Sequence, residues 1–402
     1  GAALVYGGRQ LGKTTLLHAA EQAFKARDSR NHAYYLRMDG QFQYAMERQG
    51  MDVKTRVLEL MVKKLKDDGV LLSNSKGTPE ERLQAEFQRS GTNRVLFCLD
   101  EVDSILNKDA RTNFQLVRSL AALVNDSNQR FRVVLAGLNN VNRFRTHPNS
   151  PLEQLGGSLP VKILSAQDAR NLIVQPLASL GYRFEEPELV DRIIAFTNSH
   201  PSLLHIFCSE LVEQLGRRHN SEDGVHVITQ GDLENIENNP DVRRLSGDRF
   251  DMTLNLDKRY TVAVYGLLKV YGKSLSTFSV KKALEVARSL VPEEFQQMNE
   301  TSFGGLLEEL VGLGVLRDVN HEYAIRNQTI LQLIGSPSLI SDKLQVAVRD
   351  LKNREEDALT CHPAAADLVP SPLALQDERL LLSVKAPDGV ENYSVSVIMG
   401  TP

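Results

Sequence analysis

The sequence predicts an α/β fold built on a parallel sheet, followed by a helical region and a small domain of three helices and a β-hairpin. Three observations lead to this prediction. A glycine-rich loop follows a short apolar run at residues 2–6. Two later runs, residues 94–101 and 131–137, have the nearly continuous hydrophobicity of strands buried on both faces. From residue 164 onward, apolar residues recur mainly at helical spacing.

The glycine-rich loop is Gly7-Gly8-Arg9-Gln10-Leu11-Gly12-Lys13-Thr14-Thr15, which fits G-x-x-x-x-G-K-[ST] at every fixed position. The strand before it and a helix predicted to about Lys25 give the context that this motif needs. Backbone N–H groups of such a loop surround nucleotide phosphates, and the helix presents its positive dipole end to them. Lys13 then reaches the β- and γ-phosphates, and the Thr14 hydroxyl is a ligand of Mg²⁺. We assign all nine residues to nucleotide binding in a P-loop NTPase core.

Periodicity and capping signals predict the remaining elements. Before the middle of the chain we predict a strand at 32–37 and helices at 53–66, 79–87 and 112–124. A small bundle follows, with helices at 166–180, 188–198 and 201–215. Toward the end we predict helices at 257–270, 277–288 and 301–313 and a hairpin that pairs 315–318 with 322–325 through Val319-Asn320-His321. Three helices and a hairpin of this kind make a winged helix.

These elements divide the chain into four segments. We predict a P-loop NTPase core at 1–160, a helical lid at 161–240 and a winged-helix domain at 241–335. Several prolines and a short charged helix near 342–356 indicate a linker at 336–402, which leads into a further, truncated domain. Both ends look cut from a longer protein, because residue 1 adjoins the first strand and residues 394–400 resemble a strand that stops at a loop.

Composition excludes several functional classes. The chain has 402 residues, enough for roughly two to four domains, and its 47 basic and 51 acidic residues give a net charge of −4. This balance does not favour nucleic acid or acidic lipid as a partner of the whole chain. No apolar run is long enough to span a membrane, and no signal peptide is evident. Cys98, Cys208 and Cys361 are too far apart for a zinc site or a disulfide framework. We therefore expect a soluble, cytoplasmic protein.

Two carboxylates end the strand predicted at residues 94–101. An acid that leaves such a strand in a P-loop protein holds Mg²⁺ through water, and a second acid directly after it polarises the attacking water. We assign the metal role to Asp100 and the catalytic base to Glu101. The alternative is that residues 100–103 cap the next helix, and for Asp103 we favour that interpretation.

Polar residues also follow the strand predicted at 131–137. Asn139 or Asn140 lies where an amide orients water against the γ-phosphate, although asparagine is also a common turn residue. Arg143 and Arg145 come next on the same segment. Either one contacts a neighbouring subunit's nucleotide or is simply solvated. We take Asn139 and Arg143 as the catalytic candidates.

The order of these parts resembles the STAND class of signalling NTPases and the archaeal-type ATPases close to them, and more distantly the AAA+ origin-recognition ATPases. The resemblance covers residues 1–335 and depends on the loop, on Asp100-Glu101, on residues 135–140 and on the helix junction Ser199-His200-Pro201. In STAND proteins this junction usually reads Gly-x-Pro, with the proline near the nucleotide. The resemblance therefore implies a nucleotide contact for Pro201, with Ser199 in place of glycine.

Two further positions bear on the choice between these classes. An AAA+ lid normally supplies a sensor arginine on the helix that starts at the junction, and residues 201–207 contain none, which favours the signalling class. STAND switches often carry a His-Asp pair after the last wing strand, where this chain has Arg326-Asn327.

The resemblance implies an ATP-binding and ATP-hydrolysing regulatory switch with ATP or ADP and Mg²⁺ as cofactors and slow or activation-dependent turnover. Such a switch is a module of a larger signalling or antiviral defence protein. It changes conformation or self-associates through its NTPase domain, and it works with fused effector or sensor domains or with a protein partner. A second possibility is a protein that binds nucleotide without hydrolysing it.

The alternative is an AAA+-type ATPase whose winged helix binds duplex DNA. A recognition helix needs Lys or Arg to contact phosphates and base edges. Residues 241–335 contain 12 basic and 12 acidic residues, and the helix at 299–314 contains Glu300, Glu308 and Glu309 but no Lys or Arg. Charge therefore favours a regulatory, protein-contacting winged helix over a DNA reader.

Overall fold

The computed structural model of the protein describes residues 1–353 except 49, 71–76, 89, 90, 92, 144–150, 219–225 and 275. Arg145, Cys361 and the strand predicted at 394–400 lie outside the described residues, as does the side chain of Asn140. The chain forms two compact units. Within the described residues, the first contains Gly1–Gly7 and Gly12–Val161, and the second contains Gly8–Leu11 and residues 162–353.

The first unit is built on a five-stranded sheet in which every pair is parallel. Its strands are β1 (Ala2–Gly7), β2 (Asn31–Arg37), β3 (Arg94–Asp100), β4 (Phe131–Gly137) and β5 (Gly156–Val161). The order across the sheet is β2-β3-β4-β1-β5. The sequence predicted the first four strands. It did not predict β5, because Gly-Gly-Ser-Leu-Pro-Val has little apolar pattern and occupies an exposed edge, the position where a strand tolerates proline.

Helices cover both faces of this sheet. Their bounds are α1 (Lys13–Arg27), α2 (Gly40–Arg48), α3 (Val53–Asp67), α4 (Pro79–Gln88), α5 (Asp103–Arg111), α6 (Gln115–Asp126) and α7 (Asn139–Arg143), with a 3₁₀ helix at Pro151–Leu155. The predicted capping box of α4 is present, since Thr78 N donates to Glu81 Oε2 at 2.8 Å and Glu81 N to Thr78 Oγ1 at 3.3 Å. The helix predicted from residue 112 begins at Gln115, because Asn113 and Phe114 have φ of 57° and 56° and interrupt the helix.

Each face of the sheet has its own apolar core. On one face, side chains of α3, α5 and α6 pack on alternate residues of the strands, including Phe97, Leu99 and Leu135. On the other face, Leu17 and Phe24 of α1 pack on Leu96, Cys98 and their neighbours. Burial raises the pKa of the Cys98 thiol to about 12. The two-sided core accounts for the continuous hydrophobicity of β3 in the sequence.

The second unit starts with a helical bundle and ends with the three helices and hairpin predicted from the sequence. Its helices are α8 (Ala166–Ser179), α9 (Glu188–Thr197), α10 (Pro201–Arg218), α11 (Gln230–Asn238), α12 (Pro240–Leu254), α13 (Lys258–Tyr271), α14 (Val280–Leu290), α15 (Pro292–Phe295), α16 (Glu300–Gly312), α17 (Gln328–Leu333) and α18 (Pro337–Lys352). Its strands are β6 (Tyr182–Phe184), β7 (His226–Ile228), β8 (Leu316–Val319) and β9 (Glu322–Ile325). In the described part of the chain, no helix combines the length and the apolarity needed to cross a membrane.

Two details of the second unit differ from the sequence prediction. The hairpin turn has two residues, Asn320 and His321, because both adopt positive φ (54° and 67°) and Val319 pairs with Glu322 in the antiparallel ladder. Residues 337–352 belong to α18 and not to a linker. The prolines misled the prediction, since Pro337 occupies the first turn behind the N-cap Ser336 and favours a helix start.

A cavity of about 20 Å³ lies in the second unit where α9, α10, α12 and the end of α16 meet. His200 and Arg249 line it together with Asn198 and Gly314. His200 is 8% exposed, and within the described residues its Nδ1 atom has no hydrogen-bond partner. Burial, with the nearby Arg249 charge, lowers the pKa of His200 to about 4. The cavity is large enough for about one water molecule.

The low pKa of His200 predicts a pH-dependent stability. The unfolded chain takes up a proton near pH 6.5 and the folded chain only near pH 4, so the free energy of unfolding falls as the pH decreases through this window. Between pH 7 and pH 5 we expect a loss of about 2 kcal/mol from this one group. Urea unfolding at both pH values measures it, and His200→Gln should remove this part of the pH dependence.

The matched control is His321→Asn, because His321 is exposed in the hairpin turn and Asn tolerates its positive φ. This variant should keep the pH dependence of the parent protein. An unchanged pH dependence in His200→Gln would contradict the assignment of the effect to the buried imidazole.

Candidate nucleotide-binding site

Backbone geometry requires two glycines of the loop. Gly12 has φ 98°, in the left-handed region, and is the N-cap of α1. A Cβ atom on Gly7 would lie 2.2 Å from the carbonyl oxygen of Val161 on the neighbouring strand β5. The first turn of α1 contains no acidic residue, so the positive end of the helix dipole is not neutralised locally. This end of α1 therefore suits an anionic ligand.

The other residues of the motif lie around this turn. Lys13 begins α1, and its Nζ donates to Gly7 O at 3.1 Å, so its side chain lies back over the loop. Thr14 and Thr15 follow in the first helical turn. Gly8, Arg9, Gln10 and Leu11 group with the second unit, and Leu11 is buried.

The loop and the first predicted acid meet, as the sequence suggested. Thr14 Oγ1 donates to Asp100 Oδ2 at 2.6 Å, across 86 residues of chain. Asp100 is 2% exposed and its Oδ1 atom accepts a hydrogen bond from Glu101 N at 2.9 Å. A threonine hydroxyl and a carboxylate held together beside a phosphate-binding loop are the protein contribution to a magnesium site of the P-loop kind.

These residues fit Mg²⁺ only together with a nucleotide. In the described part of the chain, no group of three or more His, Cys, Asp or Glu side chains is placed to hold a metal ion. Mg²⁺ needs near-octahedral oxygen ligation and in such sites takes most of its ligands from phosphates and water. Thr14 and Asp100 would hold the ion on the protein side, and the phosphates would complete its ligand shell.

Two residues of β2 contact the acids and were not predicted from the sequence. Tyr35 Oη donates to Asp100 Oδ2 at 2.9 Å, and Arg37 donates to Glu101 Oε1 from Nη2 at 2.9 Å and from Nε at 3.1 Å. The register explains both contacts, because Tyr35 pairs with Cys98 and Arg37 with Asp100 on the parallel strand β3. Burial and the Asp100 carboxylate raise the pKa of Tyr35, which keeps its hydroxyl a donor.

Glu101 lies on an unusual backbone turn. Its φ is 57°, a left-handed conformation that is uncommon for residues other than glycine and that often occurs at functional sites. Its side chain is 48% exposed and that of Arg37 is 58% exposed. An ion pair this exposed is worth about 0 to 1 kcal/mol, so it holds Glu101 only weakly.

The segment after β4 lies next to the acid-bearing strand. β4 pairs with β1 on one side and with β3 on the other, and Asn139 begins α7 one residue after Leu138. Asp103 is not the helix cap that we predicted. The cap position of α5 is Val102, and the Asp103 carboxylate accepts a hydrogen bond from Leu138 N at 2.9 Å. Asp103 therefore links the start of α5 to the segment that carries Asn139. Arg143 ends α7.

The junction before α10 lies in the second unit. Asn198 and Ser199 have φ of 56° and 55°, so Ser199 adopts the left-handed conformation that glycine takes most easily. Pro201 begins α10. The Asn198 side chain donates to Gly314 O at 2.6 Å and accepts from Asn327 Nδ2 at 3.2 Å. Asn327, at the place where STAND switches often have a His-Asp pair, thus contacts the lid junction.

Similarity to solved structures supports the fold. The Walker-type ATPase PABY2304 of Pyrococcus abyssi is 13% identical, with a TM-score of 0.50 over 83% of this chain and 90% of that chain. The ORC2 protein of Aeropyrum pernix, solved as ADPNP–ADP complexes, is 14% identical, with a TM-score of 0.49 over 87% of this chain and 89% of that chain. A comparison with curated proteins gave no match.

A protein-family model identifies the class. The model described as Novel STAND NTPase 1 matches residues 11–234, which is more than half of the chain. This span includes Lys13, Thr14, the two acids and the helix junction. A P-loop NTPase of this kind binds ATP or ADP and has the fold of an ATPase. The chain therefore belongs to the nSTAND1 family, the novel STAND NTPases.

Proposed function

We propose that this chain is an ATP-hydrolysing regulatory switch whose catalytic acid is restrained until an activating signal arrives. ATP binds at the glycine loop, and Thr14 and Asp100 hold Mg²⁺ on its phosphates. Glu101 is the general base that takes a proton from the attacking water. The resulting change at the γ-phosphate biases the conformation of the lid and winged helix, in the way that nucleotide switches act generally.

The observation that carries this proposal is the difference between the two acids. Asp100 is buried and held by three hydrogen bonds, which suits a fixed metal-binding group. Glu101 is half exposed and paired with Arg37 through one carboxylate oxygen. A base in this state has to leave Arg37 before it activates water. Slow basal turnover that rises on activation is the expected kinetic result.

Two substitutions test the nucleotide site. Lys13→Ala should reduce ATP and ADP affinity by at least about 100-fold, because it removes a charge-assisted contact to the phosphates. Glu101→Gln should bind ATP within a few-fold of the parent and lose turnover by about 10² to 10⁴-fold, because an amide is no base. Equilibrium titration with a fluorescent nucleotide and steady-state phosphate release measure the two effects.

Glu47→Gln is the control for Glu101→Gln, since Glu47 is an exposed acid of the same unit that pairs with Lys108 at 2.6 Å. It should leave both binding and turnover unchanged. Equal turnover in the parent protein and in Glu101→Gln would refute the assignment of the base.

Release of the restraint should raise basal turnover. Arg37→Ala removes both hydrogen bonds to Glu101, and the exposed pair is worth at most about 1 kcal/mol, so we expect a two- to fivefold increase, about the rate factor of that energy. Phosphate release without any activator measures it. Arg30→Ala is the matched control, because Arg30 pairs with Asp28 at 2.6 Å just before the same strand. A lower basal rate in Arg37→Ala would mean that Arg37 assists catalysis and does not restrain it.

We also infer that residues 241–335 form a winged helix that latches onto the lid. Asn198 is 5% exposed and joins the lid junction to Gly314 and Asn327, and Thr329 Oγ1 and Asn327 Nδ2 both reach Ala195 O at 3.4 Å. Hydrogen bonds dominate this set of contacts. Such a joint separates at lower cost than an apolar interface, because water replaces the lost partners.

Loss of the Asn198 amide should loosen the latch. In Asn198→Ala, Gly314 O loses a buried donor, and we expect a cost of about 1 to 3 kcal/mol in unfolding free energy. ADP should also dissociate several-fold faster, because the closed form is destabilised. Asn299→Ala is the control, since it removes the N-cap of α16, at similar cost, and leaves the joint intact. Stopped-flow displacement of a fluorescent ADP measures the rate, and equal rates in the two variants would contradict the latch.

The contacts of α16 support a regulatory winged helix over a DNA reader. Glu308 accepts a hydrogen bond from Tyr323 of the hairpin at 2.6 Å, and Glu309 accepts one from Tyr260 of α13. Arg288 donates to the backbone at Met298 O and Phe295 O, so its guanidinium is engaged within the domain. Both acids thus act as internal braces. Salt-dependent duplex binding by the full chain would favour the DNA-binding alternative.

Self-association and output extend the same proposal. Arg143, at the end of α7, is the candidate for contact with the nucleotide of a second copy, and ATP-dependent assembly that is lost in Arg143→Ala would support this role. A signalling or antiviral defence output, through fused or separate effectors, fits a switch of this class.

A further inference from the structure

The carboxylate of Asp100 has nearly all of its acceptor positions occupied. A carboxylate offers about four lone-pair positions, two on each oxygen. Oδ2 accepts from Thr14 Oγ1 at 2.6 Å and from Tyr35 Oη at 2.9 Å. Oδ1 accepts from Glu101 N at 2.9 Å. These contacts leave one position, on Oδ1, for a further donor.

The Tyr35 hydroxyl is fixed from two directions. Its backbone belongs to β2, which pairs residue by residue with the acid-bearing strand β3. Its ring lies against the imidazole of His18 on α1, with centroids 4.3 Å apart. Tyr35 thereby connects the helix that follows the glycine loop to the acid at the end of β3.

We propose that Tyr35 is a positioning residue for the magnesium site, whose hydroxyl fixes the Asp100 carboxylate so that Oδ1 is the oxygen that receives a metal-bound water. The inference rests on the proposed function, since it takes Thr14 and Asp100 as the protein side of that site. It adds the donor that sets the orientation of the acid.

The need for a second donor follows from the torsion of the side chain. The terminal sp³–sp² torsion of aspartate is broad, so one hydrogen bond to Oδ2 leaves the carboxylate plane free to rotate. When the Thr14 oxygen ligates Mg²⁺ through a lone pair, its single O–H still donates to Oδ2. The Tyr35 hydroxyl occupies the second position on that oxygen and prevents rotation. Oδ1 then keeps its free position directed at the metal.

The test measures the coupling between Mg²⁺ and nucleotide and not turnover. ADP affinity is determined by calorimetry with Mg²⁺ and with EDTA, and the ratio of the two affinities is the coupling. Tyr35→Phe keeps the ring and its contact with His18 and removes only the hydroxyl. We expect the ratio to fall about tenfold, the low end of effects from residues that orient metal ligands. ADP affinity in EDTA should stay within twofold of the parent.

Tyr34→Phe is the matched control. Tyr34 is the neighbouring residue on β2, on the opposite face, where its ring stacks on Phe97 at 5.1 Å. It loses the same hydroxyl group from the same strand and should keep the coupling of the parent protein. Mn²⁺ binding in the presence of ADP, followed by electron paramagnetic resonance, is a second measurement. It should weaken in Tyr35→Phe and not in Tyr34→Phe.

Thr14→Ala separates failure of this inference from failure of the proposed function. Loss of coupling in Thr14→Ala together with parental coupling in Tyr35→Phe would overturn the role of Tyr35 and leave the metal site standing. Parental coupling in Thr14→Ala would overturn the metal site itself, and with it both proposals. A drop in EDTA affinity as large as the drop with Mg²⁺ in Tyr35→Phe would show a general structural effect and also overturn the inference.

Discussion

The hydrogen bond between Thr14 and Asp100 is the contact on which the site depends, and the order of the strands makes it possible. β4 separates the strand that leads into the glycine loop from the strand that carries the acid. Because all strands are parallel, both chain segments leave the sheet at the same edge. The distance between the loop and the acid is therefore set by the spacing of three adjacent strands, and the two cores on either face of the sheet keep that spacing constant.

Local motifs carried most of what the sequence could predict. The glycine loop, the strand ending in Asp100 and the start of α4 are specified by consecutive residues, so their identification needs no knowledge of tertiary contacts. Strand order is a different matter, because neighbours in a sheet are distant in sequence. The roles of Tyr35 and Arg37 depend on β2 lying beside β3, and no residue in β2 signals this. The Asn198 contact with Gly314 joins positions 116 residues apart and was equally beyond reach.

The errors have identifiable physical causes. Asp103 has the composition of a helix cap, but its carboxylate is drawn to the backbone N–H of Leu138, because β4 ends beside α5. Pro337 marks the start of a helix and was taken for part of a linker, since proline favours both. β5 escaped prediction because an exposed edge strand needs little apolar pattern. In each case tertiary surroundings decided between two local structures that the same residues allow.

Strand β2 gives the site a mechanical property. It lies at the edge of the sheet, and two residues on one of its faces contact the two acids. A slip of β2 by a single residue would turn Tyr35 and Arg37 to the opposite face and bring Tyr34 and Leu36 to the acids in their place. Metal binding and base orientation would then fail together. Tension or pairing applied to this one strand from outside would thus act on both halves of the chemistry at once.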